Sequence, residues 1–240
     1  MSTEKSNRWW ENYVVRYFVG TVFGAGIVVF LNECESSPFH GFMSRVAGLQ
    51  EGTFKDITVF ASMGLAFCYV ASSPVLTIHA LREHTRVARV KERIWCWTIT
   101  LVLMAIIILV SATFAFCGKL SIAAFLTAFA VIGIQIVLIT LAALDRFSAV
   151  REFYFRLSEA RARNGESVRE YVESYRHLRE HGNAFSILVL EAILGFVMAN
   201  LPTPETAAFV LVLWLLPASC SWVVASALES RLVHDETLPK

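Results

Sequence analysis

Glu191 is the residue whose type and position most strongly suggest chemistry in this chain. It lies near the middle of the apolar run from Ala184 to Leu201, nine residues after Gly182. At the helical rise of 1.5 Å per residue that distance is roughly 13 Å, close to the centre of a bilayer. A carboxyl group is costly there and usually faces a bundle interior or a wet cavity. We therefore expect Glu191 to be either protonated or paired with another polar group.

Three further polar side chains lie within apolar runs and define, with Glu191, a predicted intramembrane polar site. Arg16 is in the first run, His79 is near the end of the second, and Gln135 is near the middle of the fourth. Arg16 can form an ion pair with Glu191, and Gln135 can donate a hydrogen bond to it. Such a set is typical of a proton or cation site, or of interhelical hydrogen bonds that hold a bundle together. Arg16 alone is also typical of a side chain that extends to the interface, and His79 of an interface histidine.

Glycines on the first apolar run predict a close helix–helix contact. Gly20 and Gly24 have the GxxxG spacing, and Gly26 follows them. Small residues let helix backbones approach closely in a membrane. The contact could form within one protomer or between copies of the chain.

The sequence contains no motif that predicts catalysis or cofactor binding. It has no phosphate-binding loop, no dinucleotide-binding glycine pattern and no serine-hydrolase motif. The five cysteines do not have the spacing of a metal site, although Cys34 and Cys117 could pair near the outer face. We expect no cofactor, no metal and no enzymatic activity.

The composition places these residues in a membrane protein. Hydrophobic residues make up 56% of the 240 positions and charged residues 17%, against about 25% charged in a soluble domain. The mean hydropathy is +0.56. The apolar residues form six runs: Tyr13–Leu31, Ile57–Leu81, Ile94–Cys117, Leu120–Leu144, Ala184–Leu201 and Thr206–Leu228. Because only helices or closed barrels satisfy the backbone in lipid, and strict alternation is absent, we predict an all-α polytopic bundle of six transmembrane helices.

The positive charges predict the orientation of the bundle. With six spans, all but three of the 21 Lys and Arg residues lie on one side, the exceptions being Arg45, Lys55 and Lys119. Basic residues favour the cytoplasmic side of a membrane. We therefore expect an integral protein of the plasma (inner) membrane with both termini in the cytoplasm. Its segments are a cytoplasmic stretch 1–12, helices one to four in 13–144, a cytoplasmic hairpin 145–183, helices five and six in 184–228, and a tail 229–240.

The predicted cytoplasmic hairpin is the largest part outside the lipid. Apolar residues recur at helical spacing before and after Asn164-Gly165, which indicates two helices joined by a turn. Eight arginines are balanced by seven acidic residues, so we expect no nucleic-acid partner. The two apolar stripes either pack on each other or form a docking surface for another subunit or a soluble protein. The aromatic residues of that surface are Phe147, Tyr154, Tyr171 and Tyr175.

Three classes of function fit these features. The first is a non-enzymatic, self-associating membrane protein that couples a cytoplasmic or membrane event to permeability or signalling. Such a protein could be the pore-forming or sensor subunit of a bacterial defence system, with the bilayer and other copies of itself as partners. The second is a small secondary transporter or proton-coupled permease that uses Glu191. The third is an intramembrane enzyme, which would need several converging polar side chains that the sequence does not supply.

Overall fold

The described part of the chain is entirely helical in its regular structure. The computed structural model describes residues 9–42, 54–81, 102, 106–107, 109–144 and 185–234, with side chains from 18–42, 57–81, 102, 106–107, 109–143 and 185–227. Six helices lie in these ranges: α1 (Trp9–Glu33), α2 (Phe54–Ala80), α3 (109–116), α4 (Leu120–Leu144), α5 (Phe185–Asn200) and α6 (Pro204–His234). The predicted all-α class is confirmed for these residues.

Three of these helices are long and apolar enough to cross a bilayer. They are Ile57–Ala80 in α2, Leu120–Ala143 in α4 and Pro204–Ala227 in α6. The chain is therefore an integral membrane protein with transmembrane helices. Two further apolar stretches are described within helices, Phe18–Glu33 in α1 and Phe185–Asn200 in α5. The predicted bundle of six spans therefore stays a prediction.

Helices α3 and α4 form a tight hairpin because Gly118 ends α3 in the left-handed conformation. Gly118 has a positive φ of 74°, a backbone conformation in which a residue without a Cβ is not strained. The Lys119 amide donates to the Phe114 carbonyl at 2.9 Å and the Gly118 amide to the Ala115 carbonyl at 3.0 Å, which closes the last turn of the helix. The Ser111 hydroxyl then donates to the Ala123 carbonyl across the hairpin at 2.9 Å.

Helix α2 lies at the centre of the described bundle. It packs against α1, α4 and α6, and α4 also packs against α6. Leu194, Val197 and Met198 of α5 belong to the same buried cluster as Ala71 of α2 and Trp214 of α6. Large apolar side chains cover the outside of the helices, as in a protein surrounded by lipid; they include Phe18, Phe116, Phe129, Phe185 and Phe209.

Three connections between helices meet at one end of the bundle. They and the adjoining helix ends line an open cleft of about 470 Å³, between Ser36 after α1, the 118–119 turn with the first residues of α4, and the end of α5 with 201–202. Their meeting at one end is the arrangement that a bundle of antiparallel spans requires.

The predicted cytoplasmic hairpin 145–183 lies outside the described residues. Its docking residues Phe147, Tyr154, Tyr171 and Tyr175 are in that segment, so the docking surface stays a prediction. The same holds for residues 1–8 and 235–240 of the two predicted cytoplasmic ends.

Candidate functional site

Helix α5 carries Glu191 on its inward face. The buried positions of α5 include Ile187, Glu191, Leu194 and Met198, which recur at the spacing of three or four residues that marks one side of a helix. Glu191 itself is 0% exposed. Asn200, at the end of α5 nearest the cleft, is nine residues further on, roughly 13 Å along the helix axis. The carboxyl group therefore lies deep inside the bundle rather than at either rim.

Glycines of α1 form one wall around the Glu191 carboxyl. A Cβ atom added at Gly24 would lie 3.3 Å from Glu191 Oε1, and one added at Gly20 would lie 3.6 Å from the same oxygen. The Gly20 position is also 3.6 Å from Cγ2 of Ile187, one turn before Glu191. The GxxxG pair thus packs within the protomer, and its missing side chains leave the space that the carboxyl occupies.

Cys68 of α2 lies on another side of the same site. Its side chain is 1% exposed, and a Cβ atom at Gly20 would come 2.5 Å from its Sγ. The thiol and the carboxyl are therefore neighbours across Gly20. No hydrogen bond joins either carboxyl oxygen of Glu191 to a described nitrogen or oxygen atom, and the Cys68 thiol is the titratable neighbour of this carboxyl group.

A fully buried carboxyl group without a hydrogen-bond partner lowers the stability of the fold. Burying an ionised carboxylate without a partner costs several kcal/mol, and a buried polar group without a hydrogen bond costs about 1–3 kcal/mol. A bound proton removes the charge, and its release requires that water or an acceptor reach Glu191. The arrangement can therefore hold a proton on a carboxyl group inside the bundle.

Gln135 forms hydrogen bonds with residues other than Glu191. Its Oε1 accepts a hydrogen bond from Thr77 Oγ1 at 3.1 Å, and its Nε2 donates to the Trp214 carbonyl at 3.3 Å. Both polar ends of the amide are thus used by α2 and α6, and the hydrogen bond expected from Gln135 to Glu191 is not formed. The reason is the rotation of α4, which turns Gln135, 1% exposed, toward Thr77 and Trp214.

The partners of Gln135 complete a buried ring of hydrogen bonds through three helices. Trp214 Nε1 donates to the Ala71 carbonyl at 3.3 Å, and Ala71 and Thr77 are both on α2. The ring therefore runs from Thr77 to Gln135 of α4, to Trp214 of α6, and back to α2. It is a hydrogen-bonded connection that fixes α2, α4 and α6 relative to one another.

Two prolines explain why backbone carbonyls accept side-chain hydrogen bonds here. Pro74 lies inside α2 and Pro217 inside α6. A proline in a helix removes one backbone donor and disturbs the turn before it. Ala71 and Trp214 each lie three residues before one of these prolines, and each carbonyl is supplied with a donor from another helix. Sequence reasoning missed Thr77 and Trp214; only for Trp214 was there a usable signal, its position three residues before Pro217.

The remaining predicted residues do not join Glu191 in the described part of the structure. His79, half-buried in the last turn of α2, is eleven residues beyond Cys68, roughly 16 Å along the helix. Gly26 has no atom within 4 Å of its Cβ position among the described residues. Arg16 belongs to α1, but its side chain lies outside the described ones. Its ion pair with Glu191 therefore stays a prediction. Cys34 and Cys117 are free thiols and not a disulfide.

Comparison of the chain with protein-family models, with curated proteins and with solved structures found no match.

Proposed function

We propose that the chain is a small proton-coupled membrane transport protein in which Glu191 binds and releases the coupling proton. The observation that carries this proposal is the position of the Glu191 carboxyl. It is completely buried between α1, α2 and α5 of one protomer, with no hydrogen-bond partner among the described residues. Ionisable residues placed in this way inside membrane bundles typically mark proton or ion pathways.

The proposal includes the topology of six spans that the sequence predicts. The cleft between Ser36, the start of α4 and the end of α5 supports it, because these chain segments all belong to the side with few positive charges. That side is then external, and both termini are cytoplasmic. Glu191 would lie near the middle of the membrane, where a coupling residue can be reached from either side in turn.

Proton movement in sealed vesicles tests this function. Proteoliposomes contain a pH-sensitive dye, and a deproteinised small-molecule cell extract outside supplies the cargo. We expect extract-dependent proton movement with the wild-type chain and none with Glu191→Gln. The matched control is Glu205→Gln, the same change at an exposed carboxyl at the start of α6. Proton movement by Glu191→Gln at the wild-type rate would contradict the proposal.

A self-associating pore or sensor subunit is the second candidate. Gly26 favours it, since its exposed position on α1 leaves room for the backbone of another helix. This candidate predicts oligomers in lipid nanodiscs that Gly26→Leu disrupts, and leakage of a small dye from vesicles that does not depend on Glu191. Monomers in nanodiscs would exclude it.

A further inference from the structure

Helix α1 lies at the edge of the described bundle and contacts it through a narrow face. From residue 18 onward, the buried positions of α1 are Gly20, Gly24 and Leu31. Its other faces expose large apolar side chains, with Phe18 65% and Val22 56% exposed. The same narrow face that attaches α1 to the bundle covers the Glu191 carboxyl.

The contact between α1 and α2 is made by backbone atoms. A Cβ atom at Gly24 would lie 2.5 Å from the carbonyl oxygen of Gly64, and one at Gly64 would lie 2.5 Å from the amide nitrogen of Ala25. The Gly64 position also abuts the carbonyl oxygen of Thr21. We call this contact of Gly20 and Gly24 with Gly64 and Cys68 the glycine seam. Two backbones that meet in this way slide or separate without repacking large side chains.

The other walls of the Glu191 site are held more firmly. Side-chain hydrogen bonds join α2 to α4 and α6 through Thr77, Gln135 and Trp214. Leu194 and Met198 anchor α5 in the same apolar cluster as Trp214. Helix α1 contributes one buried residue to that cluster, Leu31, with Ile27 packed against it, whereas α5 contributes Leu194, Val197, Met198 and Ala199. Of the described helices around Glu191, α1 is therefore the one whose movement disturbs the buried cluster least.

We propose that α1 is the movable wall of the Glu191 site, and that separation of the glycine seam admits the proton that Glu191 binds. The proposal rests on the proposed function, since it concerns access to the same carboxyl. Three elements face that group: α1 with Gly20 and Gly24, α2 with the titratable Cys68, and α5 itself. The closed seam occludes the carboxyl, and the open seam connects it to its proton source.

One substitution allows the glycine seam to be locked. In Gly20→Cys the new Cβ lies 2.5 Å from Cys68 Sγ, so an oxidant can join the two thiols across α1 and α2. Copper phenanthroline takes up the two electrons and the two protons are released, while a reductant restores both thiols. Oxidised and reduced samples of one variant are compared, which removes differences in folding. Gly20→Cys with Cys68→Ser, treated identically, is the control for oxidation elsewhere.

Reaction with dicyclohexylcarbodiimide reports access to Glu191. A protonated carboxylic acid adds across the C=N bond of this lipid-soluble reagent, and the adduct rearranges to a stable N-acylurea that mass spectrometry detects on the Glu191 peptide. We expect labelling to be roughly tenfold or more slower in the oxidised variant than in the reduced one, because the lock removes the open state. The control should label at the same rate in both conditions.

The outcomes separate the two proposals. Equal labelling rates for locked and unlocked protein would overturn the movable wall while leaving the proton site intact. A wild-type Glu191 that never reacts would overturn the proposed function. Should Gly20→Cys fail to fold, Gly64→Ala provides the second test, because its methyl group wedges the seam apart. It should label faster than Gly133→Ala, whose Cβ meets no described atom within 4 Å; equal rates would again overturn the movable wall.

Discussion

The carboxyl group of Glu191 fits against the bare backbone of Gly24. A Cβ atom at Gly24 would lie 3.3 Å from Glu191 Oε1 and 2.5 Å from the carbonyl oxygen of Gly64. The glycine therefore serves two contacts at once: it lets α1 approach α2, and it leaves room for a carboxyl group on α5. The glycine pair of α1 and Glu191 of α5 are far apart in the sequence, but they belong to one buried site.

Gly24→Ala should destabilise the protein by about 1–3 kcal/mol, because the added methyl group overpacks the glycine seam against the rigid backbone of Gly64. Thermal unfolding in detergent, followed by circular dichroism, measures the change. Gly26→Ala is the matched control on the same helix. Its Cβ has open space within 4 Å among the described residues, so the substitution should be neutral or slightly stabilising. Equal losses of stability in both variants would contradict this account of the contact.

Glu191→Met should stabilise the fold and abolish function. The substitution replaces a buried carboxyl without a hydrogen-bond partner among the described groups by an apolar side chain of similar size, which should gain about 1–3 kcal/mol. The unfolding temperature in detergent should rise, while extract-dependent proton movement in vesicles should be lost. A large loss of stability would mean that Glu191 is a structural residue with a bonding partner.

The hydrogen bond from Thr77 to Gln135 should contribute about 0.6 kcal/mol, the average for interhelical hydrogen bonds in membranes. A double-mutant cycle of Thr77→Val and Gln135→Leu measures this coupling free energy from unfolding in mixed micelles. The control cycle pairs Gln135→Leu with Thr140→Val. Thr140 is exposed and donates to the Ile136 carbonyl of its own helix at 2.8 Å, so its coupling to Gln135 should be near zero. Coupling of the same size in both cycles would mean that the ring does not act as a unit.

Cys34 should react with maleimides at lower pH than an ordinary thiol. The hydrogen bond with the Ser36 hydroxyl, at 3.2 Å, lowers the pKa of Cys34, and the thiolate is the reactive form. Ser36→Ala removes this bond, so the pKa should rise and the rate profile should move to higher pH. Stopped-flow labelling measures it in a background in which Cys96, Cys117 and Cys220 are replaced by serine, because Cys117 and Cys220 are exposed thiols too. Cys117, with Cys34, Cys96 and Cys220 replaced by serine, is the control, and its profile should not respond to Ser36→Ala. An unchanged Cys34 profile would show that Ser36 does not set its reactivity.

Local features of this fold follow from the sequence. The fourth apolar run, Leu120–Leu144, has the same bounds as α4, and Gly118-Lys119 forms the tight turn before it. Glu191 stands out because a carboxyl group is rare in an apolar run, and the structure places it inside the bundle.

The arrangement of the helices around their axes does not follow from the sequence in the same way. Apolar residues surround a membrane helix on all sides, so hydrophobic periodicity does not reveal which face is inward. For that reason the sequence offers Glu191 as a partner of Gln135, whereas the structure gives Gln135 the partners Thr77 and Trp214. Cys68 was missed because a buried cysteine has no sequence signature that distinguishes it from any other small apolar residue.

Infrared difference spectroscopy of the protein in lipid vesicles tests the central claim most directly. A protonated carboxylic acid has a C=O stretching band separate from that of a carboxylate, so its intensity follows the proton on Glu191 as pH is varied. The other acidic side chains give bands of the same kind, so the component due to Glu191 is the part of the pH-dependent signal that Glu191→Gln removes. The account predicts that this component is present in the wild type and in Glu205→Gln and changes reversibly with pH. Identical spectra for the wild type and Glu191→Gln at every pH would contradict it, because Glu191 would then neither bind nor release a proton.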